Sequence, residues 1–310
     1  MTSPLVTILG AFFVDLACRT ERMPAWGETL HGRHFAMGPG GKGSNQAVAA
    51  ARQGASVELI TRLGRDHFAT MAREVFASEG IGTRHISEDA DQPTGTATII
   101  VDDERGENAI IIVPGACDRL TPTDIDAAAD TIAGSALFVS QLELPAETCF
   151  HAITLAADKG VPVVLNPAPA REIPRDILAR VDYLTPNETE TEALVGHAVA
   201  DLDDAKRAAH TLRDWGVANV LITLGGEGVY VCGDAYEGRI AAFSAGPLRD
   251  TTGAGDAFNG GFVAALAAGA PLEAAARAGC AVAGLSVTRQ GTAPSMPSRA
   301  ETRALLETAS

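Results

Sequence analysis

Residues 250–261 read DTTGAGDAFNGG and place one carboxylate, Asp256, after a glycine-rich turn and before apolar residues at helical spacing. A helix start carries backbone N–H groups without intrahelical acceptors and the positive end of the macrodipole, so it can bind an anion. Phosphoryl transfer to a hydroxyl requires an anion site beside a carboxylate, because the amides stabilise the phosphoryl group and the carboxylate takes the proton. An aspartate here is also typical of a purely structural helix N-cap, and the motif alone leaves both interpretations open.

Around this motif, strands and helices alternate along the chain. Apolar runs predict buried strands at residues 6–10, 57–63, 136–139, 161–165, 181–184 and 220–223. Helical spacing predicts helices at residues 44–53, 66–78, 146–157, 188–195, 205–215, 254–268 and 272–287. This alternation predicts an α/β fold with a mostly parallel sheet, and the absence of a long linker predicts a single domain over residues 1–310.

Two segments, residues 12–36 and 94–113, interrupt the alternation because neither contains a good helix pattern. The second predicts a hairpin with a turn at residues 102–106. A strand-only insertion in an α/β domain indicates a lid or a dimer surface.

Composition excludes several classes of partner. The 310 residues are 46% apolar and 20% charged, which is enough for a sizeable core. A net charge of −15 argues against nucleic acid and against an anionic membrane surface, although it does not exclude a nucleotide. The five cysteines are scattered and predict neither a disulfide framework nor a zinc site. With no signal-peptide pattern at the N-terminus and no long apolar stretch, we expect a soluble, cytoplasmic protein.

A second glycine-rich motif, GPGGKGSNQ at residues 38–46, opens the helix predicted from residue 44. It formally matches the dinucleotide fingerprint G-x-G-x-x-G, but no buried strand precedes it, and it lacks the Lys-Ser/Thr pair of a P-loop. The alternative is a hydroxyl-binding turn in which Lys42 and Asn45 hydrogen-bond a polyol. A tight turn with a solvated lysine also fits the pattern.

Further polar residues follow predicted strands, where open α/β sheets bind their ligands. Glu143 follows residues 136–139, the pair Asn187 and Glu190 follows residues 181–184, and the glycines of residues 223–228 follow residues 220–223. A purely structural role remains open for each of them. Glu143 also fits a solvated loop, the pair Asn187 and Glu190 a capping box, and the glycines a tight turn.

Taken together, these stretches resemble the ribokinase branch of the PfkB carbohydrate kinase family. The resemblance rests on Leu9-Gly10 with Asp15 and on GGKGSNQAVA (40–49), NPAPARE (166–172), TPNETE (185–190), ITLG (222–225), DTTGAGDAFNG (250–260) and VTRQG (287–291). It implies a ribokinase-like three-layer sandwich with a mostly parallel central sheet, and a β-lid, formed by about 12–36 and 94–113, that often dimerises. It also implies ATP-dependent phosphorylation of a sugar's primary hydroxyl, as in the conversion of ribose to ribose 5-phosphate.

The resemblance also implies roles for individual residues. Asp256 would be the general base, and the amides of Gly253, Ala254 and Gly255 would form the anion hole. The sugar would contact Asp15, Phe13, Gly41, Lys42, Asn45, Glu143 and Asp256. ATP would contact Asn187, Thr223, Gly225, Gly226, Gly228 and Gly255, with Glu190 holding Mg²⁺ through water. A monovalent cation, K⁺, would bind at Asp250, Thr252, Ser286, Arg289, Gly291 and Ser295.

One residue departs from the family pattern. Familiar bacterial ribokinases have asparagine two residues before the sugar-binding aspartate, where this chain has Phe13. A neutral hydrogen bond is worth about 1 kcal/mol, so its loss weakens ribose binding without excluding it. The alternatives are a ketohexose, deoxyribose or a nucleoside as substrate, or a non-catalytic sugar- or nucleotide-binding regulator. The intact Asp256 motif argues against the regulator. The only support for an NAD oxidoreductase is the G-x-G-x-x-G match, which does not follow a buried strand.

Overall fold

The computed structural model describes residues 3–105 and 107–308, which form two β-sheets and the helices packed on them. The larger sheet has nine strands. In sheet order they are β13 (Glu237–Ile240), β12 (Val229–Cys232), β11 (Asn219–Thr223), β10 (Tyr183–Leu184), β9 (Val163–Leu165), β8 (Leu137–Ser140), β1 (Leu5–Leu9), β4 (Ser56–Leu63) and β5 (Gly82–Glu88). Only the pairings of β12 with its two neighbours are antiparallel among these described strands, so the predicted mostly parallel sheet is confirmed.

Helices cover both faces of this sheet. In chain order they are α1 (Lys42–Arg52), α2 (His67–Ser78), α3 (Pro122–Asp126), α4 (Ala129–Ala133), α5 (Ala146–Asp158), α6 (Arg175–Leu178), α7 (Glu188–Val195), α8 (Leu202–Asp214), α9 (Ala254–Ala267), α10 (Leu272–Ser286) and α11 (Arg299–Thr308). The strand β8 shows the two-sided core directly, because Phe138 belongs to one buried apolar cluster and Leu137 and Val139 to the other. Helices α5 and α8 pack on the first cluster, and α1, α9 and α10 on the second, which gives three layers.

The smaller sheet has four strands in the order β3 (His34–Gly40), β2 (Phe13–Thr20), β6 (Thr94–Asp102) and β7 (Glu107–Gly115). The strands β6 and β7 pair antiparallel, as expected of a hairpin. Gly106, in the predicted turn, lies outside the described residues. The edge strand β7 exposes four consecutive apolar side chains, Ile110, Ile111, Ile112 and Val113.

The strongest local signals gave the most accurate element bounds. The helix predicted over residues 188–195 is α7, and Asp66 caps α2 by accepting from the Ala69 N–H at 2.8 Å. Helix α1 begins at Lys42, two residues before its predicted start. The prediction missed β5, β13 and α11, which are short or largely polar and exposed. None of the helices in the described part of the chain is long and apolar enough to cross a membrane.

Candidate active site

Asp256 lies in the first turn of α9, and Gly253, with a φ of 78°, is the N-cap. The N-cap interpretation of Asp256 is therefore wrong. Its carboxylate turns toward α1 and accepts two hydrogen bonds there, from Asn45 Nδ2 to Oδ2 at 2.9 Å and from Gln46 Nε2 to Oδ1 at 3.0 Å. Only 5% of Asp256 is exposed. A buried carboxylate is costly unless it is hydrogen-bonded, and these two amides offset that cost while fixing its orientation.

The backbone amides at the start of α9 divide into two groups. The Ala254 N–H donates to the Thr251 carbonyl at 3.1 Å, so this member of the predicted anion hole is already used within the turn. No residue that the structure describes accepts from the N–H groups of the N-cap Gly253 or of Gly255 and Asp256. These three amides, at the positive end of a 14-residue helix, are the groups available to an anion.

A cavity of about 150 Å³ lies in front of Asp256 at the carboxyl ends of β9, β10 and β11. It brings together residues predicted from separate motifs, including Lys42, Asn187, Glu190 and Thr223. The complete lining is Lys42, Asn166, Ala168, Thr185, Asn187, Glu190, Thr223, Thr251, Gly253, Ala254, Gly255, Asp256 and Asn259. Gly225, Gly226 and Gly228, predicted to contact ATP, are not among these residues; they form the turn that follows Thr223.

Asn187 and Glu190 form a complete capping box at the start of α7. Asn187 Oδ1 accepts from the Glu190 N–H at 2.8 Å, and Glu190 Oε2 accepts from the Asn187 N–H at 2.9 Å. Asn187 also pairs with Thr223 in an isolated parallel bridge. The capping interpretation is therefore right, and both side chains still line the cavity, so structural and ligand-binding roles coexist here.

On the other side of Asp256, the glycine turn before α1 brings Asp15 close to the backbone. A Cβ on Gly40 would lie 2.1 Å from Asp15 Oδ1, so only glycine leaves room for this carboxylate. Gly41 is the N-cap of α1 with a φ of 86°. Thr292 Oγ1 lies 3.2 Å from Asp15 Oδ2. Burial raises the pKa of Asp15 to about 6, against the lowering effect of the Thr292 hydrogen bond.

Glu143 and Lys42 are two charged residues of the site that contact each other. Glu143 Oε2 accepts from the Lys42 backbone N–H at 2.8 Å. Burial raises the pKa of Glu143 to about 7, although the positive charge of Lys42 opposes this. Burial also raises the pKa of Glu190. For Lys42, burial lowers the pKa, but the net direction is upward because three carboxylates surround it: Asp256, Glu143 and Glu190.

Phe13 lies on β2 two residues before Asp15, and only 2% of it is exposed. Its ring covers Gly95 of β6, where an added Cβ would lie 2.4 Å from Phe13 Cδ1. It belongs to the apolar cluster that contains Cys117 and Leu142. The position that departs from the family pattern is therefore apolar and buried.

The segments predicted to bind a monovalent cation meet beside α9. Asp250 Oδ1 accepts from the Thr252 N–H at 2.9 Å, and Oδ2 accepts from the Gly291 N–H at 3.0 Å. The Arg289 guanidinium pairs with Glu301, so this residue can offer only its carbonyl. Ser286 and Ser295 are buried, and their hydroxyls donate to the carbonyls of Ala283 and Thr292.

Several polar residues of the site had no role in the sequence analysis. Gln46, Gln141 and Asn166 are buried and hydrogen-bonded beside Asp256, and Thr185 donates to Asn259 Oδ1 at 2.7 Å. Gln141 and Asn166 each directly follow a strand, β8 and β9. The signal that found Glu143 could therefore have found them too.

A group of possible metal ligands also lies outside the cavity, at His210, Cys232 and Glu237. The Glu237 carboxylate already accepts from the Tyr230 hydroxyl at 2.6 Å and lies 3.9 Å from Lys206 Nζ. These contacts account for the cluster as a hydrogen-bonded surface group.

Residues 3–299 match the sequence profile of the pfkB family carbohydrate kinases. The chain belongs to this family. The predicted enzyme class, a carbohydrate kinase, is confirmed, and so is the ribokinase-like fold. The chain is 41% identical to the ribokinase of Haemophilus influenzae over 97% of its own length and 98% of that protein. It is 39% identical to the deoxyribokinase of Salmonella typhimurium, over 94% of this chain and 95% of that one.

Among solved structures, the chain resembles the Arabidopsis thaliana ribokinase complexed with ribose and ATP. The TM-score is 0.92 at 29% identity, covering 98% of this chain and 99% of that one. Similarity of this extent includes both sheets, so the small sheet is part of the shared fold.

Proposed function

We propose that this chain transfers the γ-phosphoryl group of ATP to the primary hydroxyl of ribose, giving ribose 5-phosphate and ADP. The observation that carries the proposal is the buried Asp256 carboxylate, held by Asn45 and Gln46 beside three free amides of α9. The new bond joins the sugar oxygen to phosphorus, the bond from phosphorus to ADP breaks, and the hydroxyl proton passes to Asp256. The similarity to ribokinases, one of them bound to ribose and ATP, supports the choice of substrates.

Within this proposal, the two substrates bind on different sides of Asp256. The sugar hydroxyls would be held by Lys42, which lines the cavity, and by four residues that are not among its lining: Asp15, Asn45, Glu143 and the backbone of Gly41. The buried Oδ1 of Asn45 has no hydrogen-bond partner among the described residues, whereas its Nδ2 is bound to Asp256. An unpaired buried acceptor is costly, and a sugar hydroxyl donating to it removes that cost.

The ATP side would use Asn187, Thr223 and the turn of residues 225–228. The three free amides of α9 would stabilise the charge on the transferring phosphoryl group. The half-buried carboxylate of Glu190 has the oxygen donors that Mg²⁺ prefers when held through water, and that ion would neutralise the phosphate oxygens.

The test is turnover of ribose with ATP and Mg²⁺ by the parent protein and by Asp256→Asn. General base catalysis is worth about 10²- to 10⁴-fold, so we expect kcat to fall by that factor with ribose binding retained. The exposed Asp203 on α8 supplies a matched control, since Asp203→Asn should keep parental activity. Near-parental turnover by Asp256→Asn would refute the proposed base.

A second candidate substrate, 2-deoxyribose, is favoured by Phe13. A buried phenyl ring provides no hydrogen-bond partner for a hydroxyl and suits a sugar that lacks one. We expect Phe13→Asn to shift the ratio of kcat/KM toward ribose by roughly fivefold, the equivalent of one hydrogen bond, and Phe13→Leu to leave it unchanged. If the parent prefers ribose and neither variant changes the ratio, Phe13 does not select the substrate.

We also propose that the loops of Asp250 and Gly291 bind K⁺, mainly through backbone carbonyls. The hydrogen bonds from Thr252 and Gly291 to Asp250 hold both loops next to the amides of α9. A cation bound between these loops would therefore lie close to the anion site. We expect K⁺ to raise kcat/KM relative to tetramethylammonium in the parent and not in Asp250→Ala. Equal parental rates with the two cations would contradict this.

Finally, we propose a lid made of the small sheet that covers the sugar and joins two protomers. Its two edge strands expose large apolar side chains, Phe35 and Met37 on β3 and Ile111 on β7, each by half or more of its surface. Exposed apolar side chains on a small sheet are typical of an interaction surface. Sedimentation velocity should report a dimer for the parent and a monomer for Ile111→Arg. Leu248→Arg, which changes an exposed apolar residue outside the sheet, should remain dimeric. A monomeric parent at micromolar concentration would refute the dimer.

A further inference from the structure

Three amide side chains form a hydrogen-bonded chain that ends on Asp256. Gln141 Nε2 donates to Gln46 Oε1 at 2.7 Å, and Gln46 Nε2 donates to Asp256 Oδ1 at 3.0 Å. Gln46 Nε2 also lies 3.2 Å from Asn166 Oδ1. Gln46 is fully buried, and Gln141 and Asn166 are 1% and 7% exposed. Gln46 and Gln141 thus lie away from solvent, whereas Asn166 also lines the cavity.

The partners of each amide determine its orientation. An ionised carboxylate only accepts hydrogen bonds, so the NH₂ group of Gln46 must face Asp256. Its carbonyl oxygen then faces Gln141, which donates. Asn166 is fixed in the same way, because its Nδ2 donates to the Thr185 carbonyl at 2.9 Å and its Oδ1 faces Gln46. Every member of the chain therefore supports one orientation of the Gln46 amide.

The surrounding backbone makes room for this chain. A Cβ on Gly10 would lie 2.4 Å from Gln141 Oε1 and 2.4 Å from the Cα of Gly43. Burying neutral amides is costly unless they are hydrogen-bonded, and Gln141 Oε1 has no hydrogen-bond partner among the described residues. The one charged acceptor they serve is Asp256.

We propose that Gln46 is a positioning residue that fixes the carboxylate plane of Asp256, with Gln141 as the group that orients Gln46. This inference rests on the proposed function, in which Asp256 is the general base. Asn45 holds the other carboxylate oxygen, so two donors from one helix define the direction of the remaining lone pairs. Gln46 itself contacts no cavity surface and acts through Asp256.

The first test is Gln46→Met, which keeps the length of the side chain and removes the donor. Loss of a hydrogen bond to a charged group predicts a fall in kcat of about tenfold or more, with the sugar KM changed less than twofold. Gln53→Met is the matched control on the same segment, because Gln53 donates to the Pro297 carbonyl, away from the site. It should keep parental kcat.

The split between kcat and KM separates positioning from packing. A general disturbance of α1 would also weaken sugar binding, because Lys42 and Asn45 lie on the same helix. Equal falls in kcat and in the affinity for the sugar would overturn the inference.

A double-mutant cycle completes the test. In the Asp256→Asn background, Gln46→Met should cause no further loss, because residues that act as a unit are non-additive. Gln141→Met leaves Asp256 and Gln46 in place, so it should give a smaller fall in kcat with the sugar KM unchanged. It replaces Gln46→Met in the test if that variant fails to fold. Equal losses in both backgrounds would refute positioning. A parent protein inactive on every sugar would instead refute the proposed function.

Discussion

Ionised Glu143 lowers the free energy of unfolding, and a single substitution can measure by how much. Its pKa rises from the usual 4.5 to about 7 because it is buried beside Asp256 and Asp15, and Lys42 compensates only in part. The folded state therefore holds the Glu143 proton more tightly than the unfolded state. The stabilisation from this group is fully present below pH 4.5 and is lost as the pH rises through about 7.

The size of the effect follows from the pKa shift. At 1.36 kcal/mol per unit, the ionised group lowers the free energy of unfolding by about 3 kcal/mol at pH 8 and by less than about 1 kcal/mol at pH 5. Glu143→Gln has no proton to lose, yet it keeps an oxygen that can accept from Lys42 N–H. Its stability relative to the parent should therefore increase by roughly 2 to 3 kcal/mol between pH 5 and pH 8.

Urea unfolding at the two pH values, with the parent, Glu143→Gln and a control, measures this difference. Glu147→Gln is the control, since Glu147 is exposed four residues along the chain and loses the same charge. Its stability relative to the parent should change little with pH. A difference for Glu143→Gln that stays constant or shrinks from pH 5 to pH 8 would refute the electrostatic reasoning.

Three further predictions concern the proposed sugar and Mg²⁺ sites. Gly40→Ala should raise the sugar KM by about tenfold or more and leave the ATP KM unchanged, because the new Cβ displaces the Asp15 carboxylate. Gly38→Ala, whose Cβ meets open space, should change neither KM in the same assay. Thr292→Val should raise the pKa of Asp15 further and move the pH dependence of sugar KM upward, and Thr292→Ser should restore it. Glu190→Gln should raise the Mg²⁺ concentration needed for half-maximal rate by about tenfold, whereas Glu188→Gln, on the same first turn, should not.

The sequence predicted features whose signals are local. The capping box of Asn187 and Glu190 lies within four residues, and the structure contains it unchanged. The parallel sheet followed from apolar runs, each readable in a short window. In contrast, the partners of Asp256 are 210 and 211 residues away along the chain, so no local pattern could distinguish a cap from a positioned base. The missed helix α11 is largely polar, and Thr302 is the one residue that it buries, so its composition gave little indication of a packed helix.

The charges of the site lead to one more consequence for the reaction. Three carboxylates, Glu143, Glu190 and Asp256, surround the ammonium of Lys42, and a fourth, Asp15, lies near Asp256. A nucleotide triphosphate that approaches them meets like charge in a site of low dielectric, where repulsion is stronger than in water. The free amides of α9 supply only about half a positive charge, so they cannot balance this excess alone. We therefore expect nucleotide affinity to depend steeply on the divalent cation, and the sugar, which is neutral, to bind equally well without it.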